Sequence, residues 1–202
     1  MKFHSFLTCS FFLLFVSCSA ARSVNDPVLD IDGNKLRVGS KYYILPLRRG
    51  SGGGVTTGGK TKNGTCSTDV VQEGFEVLNG TPVEFLPAYA DRGVVRLSTD
   101  LNFKFSSGEK CPSSPIWQLG PYDEVKKQYF VSTGGIEGHP GQGNVGSWFK
   151  IEKNGNDYNI RFCPQVCSFC KVICRDVGIY IDNGVRRLAL SETPFVVFFK
   201  KV

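Results

Sequence analysis

Cys163, Cys167, Cys170 and Cys174 form a Cys-x3-Cys-x2-Cys-x3-Cys run whose spacing suits two chemistries. As thiolates they could complete a tetrahedral zinc site; oxidised, they could pair among themselves. The compartment separates the two. Lys2 opens a short basic region, Phe6 to Val16 is almost wholly apolar, and Ser19-Ala20-Ala21 offers the small residues signal peptidase accepts. A secretory signal is therefore expected over residues 1–21, taking Cys9 and Cys18 with it and leaving 22–202 as one domain. The apolar run, roughly a dozen residues, falls short of the about 20 that cross a bilayer, so no membrane partner is expected. In an oxidising compartment the six remaining cysteines read as three disulfides, with 15 connectivities open. Within the cluster, Cys163 with Cys174 and Cys167 with Cys170 would nest as rungs of a hairpin turning at Ser168-Phe169. Cys66 and Cys111 stand alone, and pairing them would close a long loop. No metal or other cofactor is expected. A redox role for Cys167 and Cys170 lacks the surrounding βαβ pattern such a pair uses.

Other motifs that suggest catalysis weaken on inspection. Gly54 to Thr61 satisfies G-x4-G-K-[ST] letter for letter. Phosphate capture needs a helix starting at Lys60, and the chain runs instead into Lys62-Asn-Gly-Thr-Cys66, a turn. The segment reads as a flexible, glycine-rich surface loop. His139 is the one histidine beyond the leader, and it sits between Gly138 and Pro140, which leaves a nucleophile scheme few partners. Asp30 with Asp32 and Asp123 with Glu124 read as turn formers rather than acid and base. The chain is not expected to be an enzyme.

The elements that must position any site are strands. Lys41–Leu45, Val94–Leu97, Leu101–Phe105, Tyr129–Val131, Trp148–Ile151, Tyr158–Phe162, Ile179–Ile181 and Phe195–Phe199 are short and rich in β-branched or aromatic residues. Asp32-Gly33, Asn63-Gly64, Asn79-Gly80, Asn154-Gly155 and Asn183-Gly184 supply turns between them. An all-β barrel or sandwich follows, because many short strands must close or stack to hide their edges. Trp117 and Trp148 read as core. The formal charge of +6, or +5 once Lys2 leaves, is spread in pairs such as Arg48-Arg49 and Arg186-Arg187. Scattered pairs solvate a surface, so no nucleic-acid partner is expected.

Val28-Leu-Asp-Ile-Asp-Gly-Asn-Lys-Leu36, followed by Tyr42-Tyr-Ile44, resembles the N-terminal signature of the plant Kunitz-type (soybean trypsin inhibitor) family. The similarity continues through Val94–Asn102, Ser147–Ile151, Phe162-Cys163-Pro164, Asp176–Asp182 and Arg186–Leu190, and so spans the chain beyond its leader. The extra cysteines and the Gly-Gly-Gly stretch place it nearest the miraculin-like branch. The resemblance implies a β-trefoil of three pseudo-repeats, with disulfides Cys66–Cys111, Cys163–Cys174 and Cys167–Cys170. Closing a loop of about 46 residues through Cys66 and Cys111 would stabilise the fold by about 4 kcal/mol in the loop-entropy model.

The resemblance also implies a site. Inhibitory relatives present a rigid, substrate-like loop between the fourth and fifth strands, with Arg or Lys where the protease cuts. Here that loop is Pro87–Gly93, with Ala90, Asp91, Arg92 and Gly93 as its reactive part and Arg92 as the specificity residue. A guanidinium reaches the carboxylate at the base of a trypsin-like pocket. The expected partner is thus a secreted or digestive endopeptidase, of trypsin-like serine type, met by a monomer in the apoplast or vacuole. The simpler reading of Arg92 is an exposed loop arginine. Two departures bear on the choice: relatives brace the loop with an asparagine where this chain has Val38, and Gly93 loosens the backbone beside Arg92. A non-inhibitory storage or defence protein, an inhibitor of cysteine proteases, and a carbohydrate- or pathogen-binding module are the rival readings. A taste-modifying pH switch would rest on His139 alone. Asn63-Gly-Thr65 and Asn79-Gly-Thr81 fit the N-glycosylation rule, with Pro82 weakening the second.

Overall fold

The computed structural model describes residues 26–59, 63–89, 93–106 and 114–202. The expected leader at 1–21 lies outside them. The strands are β1 (Tyr42–Pro46), β2 (Val55–Thr57), β3 (Val70–Gln72), β4 (Val83–Pro87), β5 (Leu101–Phe105), β6 (Trp117–Asp123), β7 (Gln128–Thr133), β8 (Lys150–Asn154), β9 (Asp157–Phe162), β10 (Arg175–Asp182), β11 (Val185–Ser191) and β12 (Val196–Lys201). One short 3-10 helix, Gln142–Ser147, precedes β8.

All pairing is antiparallel, and it divides the strands into a barrel and a cap. β12 pairs with β1, β1 with β4, β4 with β5, β8 with β9 and β9 with β12. The ring closes where Leu101 and Phe149 exchange hydrogen bonds of 2.8 and 3.0 Å. Closure leaves these six strands no open edge. The hairpins β2–β3, β6–β7 and β10–β11 form the cap, joined by β11 to β3, β11 to β7 and an Asp69–Ser132 bridge. Three repeats of four strands, one cap hairpin each, make the β-trefoil.

Alternation drives the packing. Tyr42 and Ile44 on β1, Val83 and Phe85 on β4, and Val197 and Phe199 on β12 point inward and are buried. Phe85 meets Phe103 edge-on at 4.9 Å and Phe103 stacks on Trp117 at 5.0 Å, so the barrel is filled by aromatic rings in their favoured geometries. Trp148 is fully buried as well. At the β10–β11 turn, Asn183 and Gly184 have φ of 51° and 84° between the paired Asp182 and Val185, a two-residue turn whose twist matches the strands.

Two expectations change. Val94–Leu97 is not a strand: it makes only isolated bridges, Arg37–Val94 and Pro27–Arg96, because its partner is the irregular N-terminal segment. The glycine-rich stretch is not a flexible surface loop in its described part. Gly52, Gly53 and Gly54 are buried, and Gly53 and Gly54 donate to Glu73 O and Leu78 O at 2.8 Å each. A Cβ on Gly54 would collide with the Asn79 backbone. That glycine serves close packing of two chain segments, and Val55–Thr57 follows as β2; Lys60 and Thr61 lie outside the described residues.

Candidate functional site

The loop between β4 and β5 is described up to Tyr89 and again from Gly93; Ala90, Asp91 and Arg92 lie outside the described residues. Both of its limbs are tied down by main chain. On the leading side, Pro87 pairs with Leu101, and the Ala88 N–H donates to Asp100 O at 2.8 Å. Tyr89, 68% exposed, then carries the chain into solvent. On the trailing side, the Val38 N–H donates to Gly93 O at 3.0 Å, Arg37 bridges Val94, and Val95 N–H donates to Leu36 O at 3.0 Å. Gly93 adopts φ of 71°, a left-handed conformation that a side chain strains.

Each clamp has its own support. The N-terminal segment is anchored by Val28 and Leu36, both fully buried, with Val28 N–H on Val95 O at 3.0 Å. Its turn is built by Asp30, whose Oδ1 accepts the Asp32 and Asn34 N–H groups at 3.1 and 2.8 Å. Asp123 does the same for Val125 and Lys126, so both carboxylates form turns. The Val38 side chain packs against the core, and support at this position comes from its backbone N–H.

The leading clamp leans on the cysteine cluster. Cys163 is bridged to Cys174, with Cα atoms 4.3 Å apart, just beyond the Phe162–Arg175 pair of β9 and β10, and Cys167 is bridged to Cys170 inside it. These two disulfides staple the segment that carries Gln165. The Gln165 N–H donates to the Asp100 carboxylate at 3.0 and 3.2 Å, and its Oε1 accepts from Lys150 Nζ at 2.8 Å. Burial pushes the Asp100 carboxyl above its ordinary 3.8, against the pull of the Lys150 ammonium 3.7 Å away. Asp100 thus holds Ala88 by its carbonyl and the stapled segment by its side chain. Cys66 is disulfide-bonded too, and Cys111 lies outside the described residues.

Sequence reasoning missed Asp100, Asn102 and Gln165. A lone Asp before a strand or a Gln inside a cysteine cluster carries no pattern of its own. Among the described residues no three His, Cys, Asp or Glu side chains gather as a metal would require. His139 is exposed, with φ of 52°. No helix among the described residues is long and apolar enough to cross a membrane.

A family model described as trypsin and protease inhibitor, of the Kunitz legume type, matches residues 28–201. Kunitz trypsin inhibitor 5 of Arabidopsis thaliana is 53% identical over 87% of this chain and 86% of its own length. Miraculin of Synsepalum dulcificum is 49% identical over 100% of this chain and 98% of its own. Among solved structures, a Kunitz-type cysteine protease inhibitor from potato superposes with a TM-score of 0.76 at 34% identity, covering 89% of this chain and 98% of that one. Soybean trypsin inhibitor does so with a TM-score of 0.69 at 30% identity, covering 88% and 100%. These proteins are inhibitors or their kin rather than enzymes, and with its closed barrel, three-hairpin cap and doubly clamped β4–β5 loop the chain belongs to the Kunitz-type protease inhibitor family, on its miraculin-like side.

Proposed function

We propose that this protein is a secreted inhibitor that blocks trypsin-like serine endopeptidases by presenting Ala90-Asp91-Arg92-Gly93 as a substrate-like segment. The observation that carries the reading is the pair of main-chain clamps at Ala88 and Gly93. A loop fixed at both ends loses less entropy on docking, and affinity gains what ordering would have cost. Arg92 offers its guanidinium to the pocket of the protease, and the stapled Cys163–Cys174 segment behind Asp100 resists movement of the leading limb. Residues 1–21 serve as the secretion signal, Cys66 pairs with Cys111, and the exposed Asn63 and Asn79 carry glycans in the apoplast or vacuole. Control of proteolysis in defence is the role that follows.

Trypsin activity titrated with the oxidised protein tests this. Nanomolar-range inhibition is expected for the native chain, and Arg92→Ala should weaken it at least about 100-fold, as loss of a buried arginine anchor does. Equal inhibition by both proteins would move the contact elsewhere.

A second reading has its own support. Val38 provides no side-chain hydrogen bond beneath the loop, and similar proteins include miraculin and a cysteine protease inhibitor. If trypsin is untouched by either protein, inhibition of a papain-like protease separates an inhibitor of another class from a non-inhibitory defence or storage protein.

A further inference from the structure

Arg186 and Arg187 are neighbours on β11 and meet opposite fates. Arg187 is neutralised: its guanidinium donates to Asp69 at 2.7 Å and Asp182 at 2.9 Å and lies 3.6 Å over the Phe130 ring. Arg186 forms no ion pair among the described residues. Its Nε donates to Gln72 Oε1 at 2.8 Å, and Gln72, 3% exposed, is itself fixed by donating to Gly53 O at 3.0 Å. A buried amide therefore orients a guanidinium that no carboxylate among the described residues pairs with.

That guanidinium lines a cleft of about 440 Å³ at the end of β1 remote from the β4–β5 loop. Arg48 is its second cation, Leu47, Ile179 and Phe195 give apolar surface, and no carboxylate lines it among the described residues. Ser191 accepts the Thr193 N–H at 3.0 Å, which leaves its own O–H to donate. The Ser191–Thr193 turn is seated against β10 at Gly178, where a Cβ would strike Ser191 and Thr193. A larger cleft, about 580 Å³, sets Arg49 and Lys153 against three carboxylates, Asp30, Glu76 and Asp157, so it carries no excess of positive charge to attract an anion.

We propose that the Arg48–Arg186 cleft binds a small organic anion with an apolar body, its carboxylate or sulfonate paired with the two guanidinium groups and its hydrocarbon against Ile179 and Phe195. The volume is that of small-molecule sites, and a few placed polar groups on an apolar lining are their usual composition. Arginine is suited to such oxyanions because its planar fork donates two parallel hydrogen bonds. Lying at the other end of β1, this site works independently of the loop.

Fluorescence and calorimetric titration of the oxidised protein with 1-anilinonaphthalene-8-sulfonate tests the assignment, with uncharged N-phenyl-1-naphthylamine as the comparison. Saturable one-to-one binding of the anion is expected, weaker binding of the neutral compound, and a loss of about tenfold in affinity for Arg186→Gln, as removal of one charge-assisted pair implies. Arg48→Gln should lose less, the double variant most, and Lys200→Gln nothing. Absence of saturable binding, or equal affinity in the double variant, overturns the proposal. Should Arg186→Gln fail to fold, amide shifts in the native protein decide: changes at Ile179, Ser191 and Thr193 uphold the site, and changes confined elsewhere sink it.

Discussion

The connections that lead into β5 and into β8 are both long, and they are held by different means. From β7 to β8 the chain is pinned by side chains. Asn102, fully buried on β5, donates to Ser147 O at 2.7 Å and accepts the Gly138 N–H at 2.8 Å. Asn144 donates to Gly138 O at 2.5 Å and accepts Trp148 Nε1 at 3.2 Å, and Ser147 Oγ accepts the Ile136 N–H at 3.0 Å. From β4 to β5 the clamps nearest the reactive segment are main chain to main chain, Ala88 to Asp100 O and Val38 to Gly93 O, and side-chain bonds from Ser98 to Glu152 and from Gln165 to the Asp100 carboxylate lie farther back, toward β5. Buried amides specify one conformation because leaving either partner unmet is costly. Main-chain clamps secure the ends of a loop and leave the residues between them to a partner. The difference suits a structural connection on one side and, on the function proposed above, a docking segment on the other.

The largest change should come from removing the amide that organises the first region. Asn102→Ala leaves the buried Ser147 O and the half-buried Gly138 N–H without partners, and about 2–4 kcal/mol of stability should go, read as a lower denaturation midpoint in urea at unchanged slope. Trypsin inhibition by the folded variant should stay as it was; a parallel loss of inhibition would show the two regions are coupled. A smaller change should follow from importing the device to the other loop. Val38→Asn places an amide beneath the β4–β5 segment, and one net hydrogen bond, about 0.5–1.5 kcal/mol, would tighten inhibition by roughly three- to tenfold. Weaker inhibition would mean that the packing of Val38 on the core outweighs any bracing.

The smallest effect concerns pH. Hydrogen bonds from Lys126 and Arg187 hold the Asp182 carboxyl below its ordinary 3.8. Its ionised form is favoured by folding, so this contribution is complete above about pH 4 and disappears as pH falls through the depressed folded value. Thermal melts of the native protein and Asp182→Asn should differ by a constant amount at neutral pH and converge in strong acid. A difference that persists unchanged to the lowest pH would assign the effect to shape rather than charge.

Local chemistry was legible in the sequence. β5 at Leu101–Phe105 and the Asn183-Gly184 turn follow from residue types and spacing alone, because alternation and left-handed backbone are properties of a few consecutive residues. β2 and β3 were not legible: at three residues each they hold too little pattern, and they are strands because they pair with each other and with β11. Family resemblance, rather than periodicity, was what pointed to the β4–β5 loop and to the trefoil.

The sequence by itself determined the all-β class, the aromatic core and the disulfide potential of the cysteine cluster, since each rests on side-chain chemistry or on neighbours along the chain. Tertiary structure alone decided that Asp100 joins the loop to the stapled segment, that Asn102 organises the β7–β8 connection, and that Arg187 is held by carboxylates while Arg186, among the described residues, is held by an amide. Their deciding partners, Gln165 for Asp100, Gly138 for Asn102 and Asp69 for Arg187, lie from 36 to 118 positions away, and only closure of the barrel and cap brings such residues within reach of a hydrogen bond.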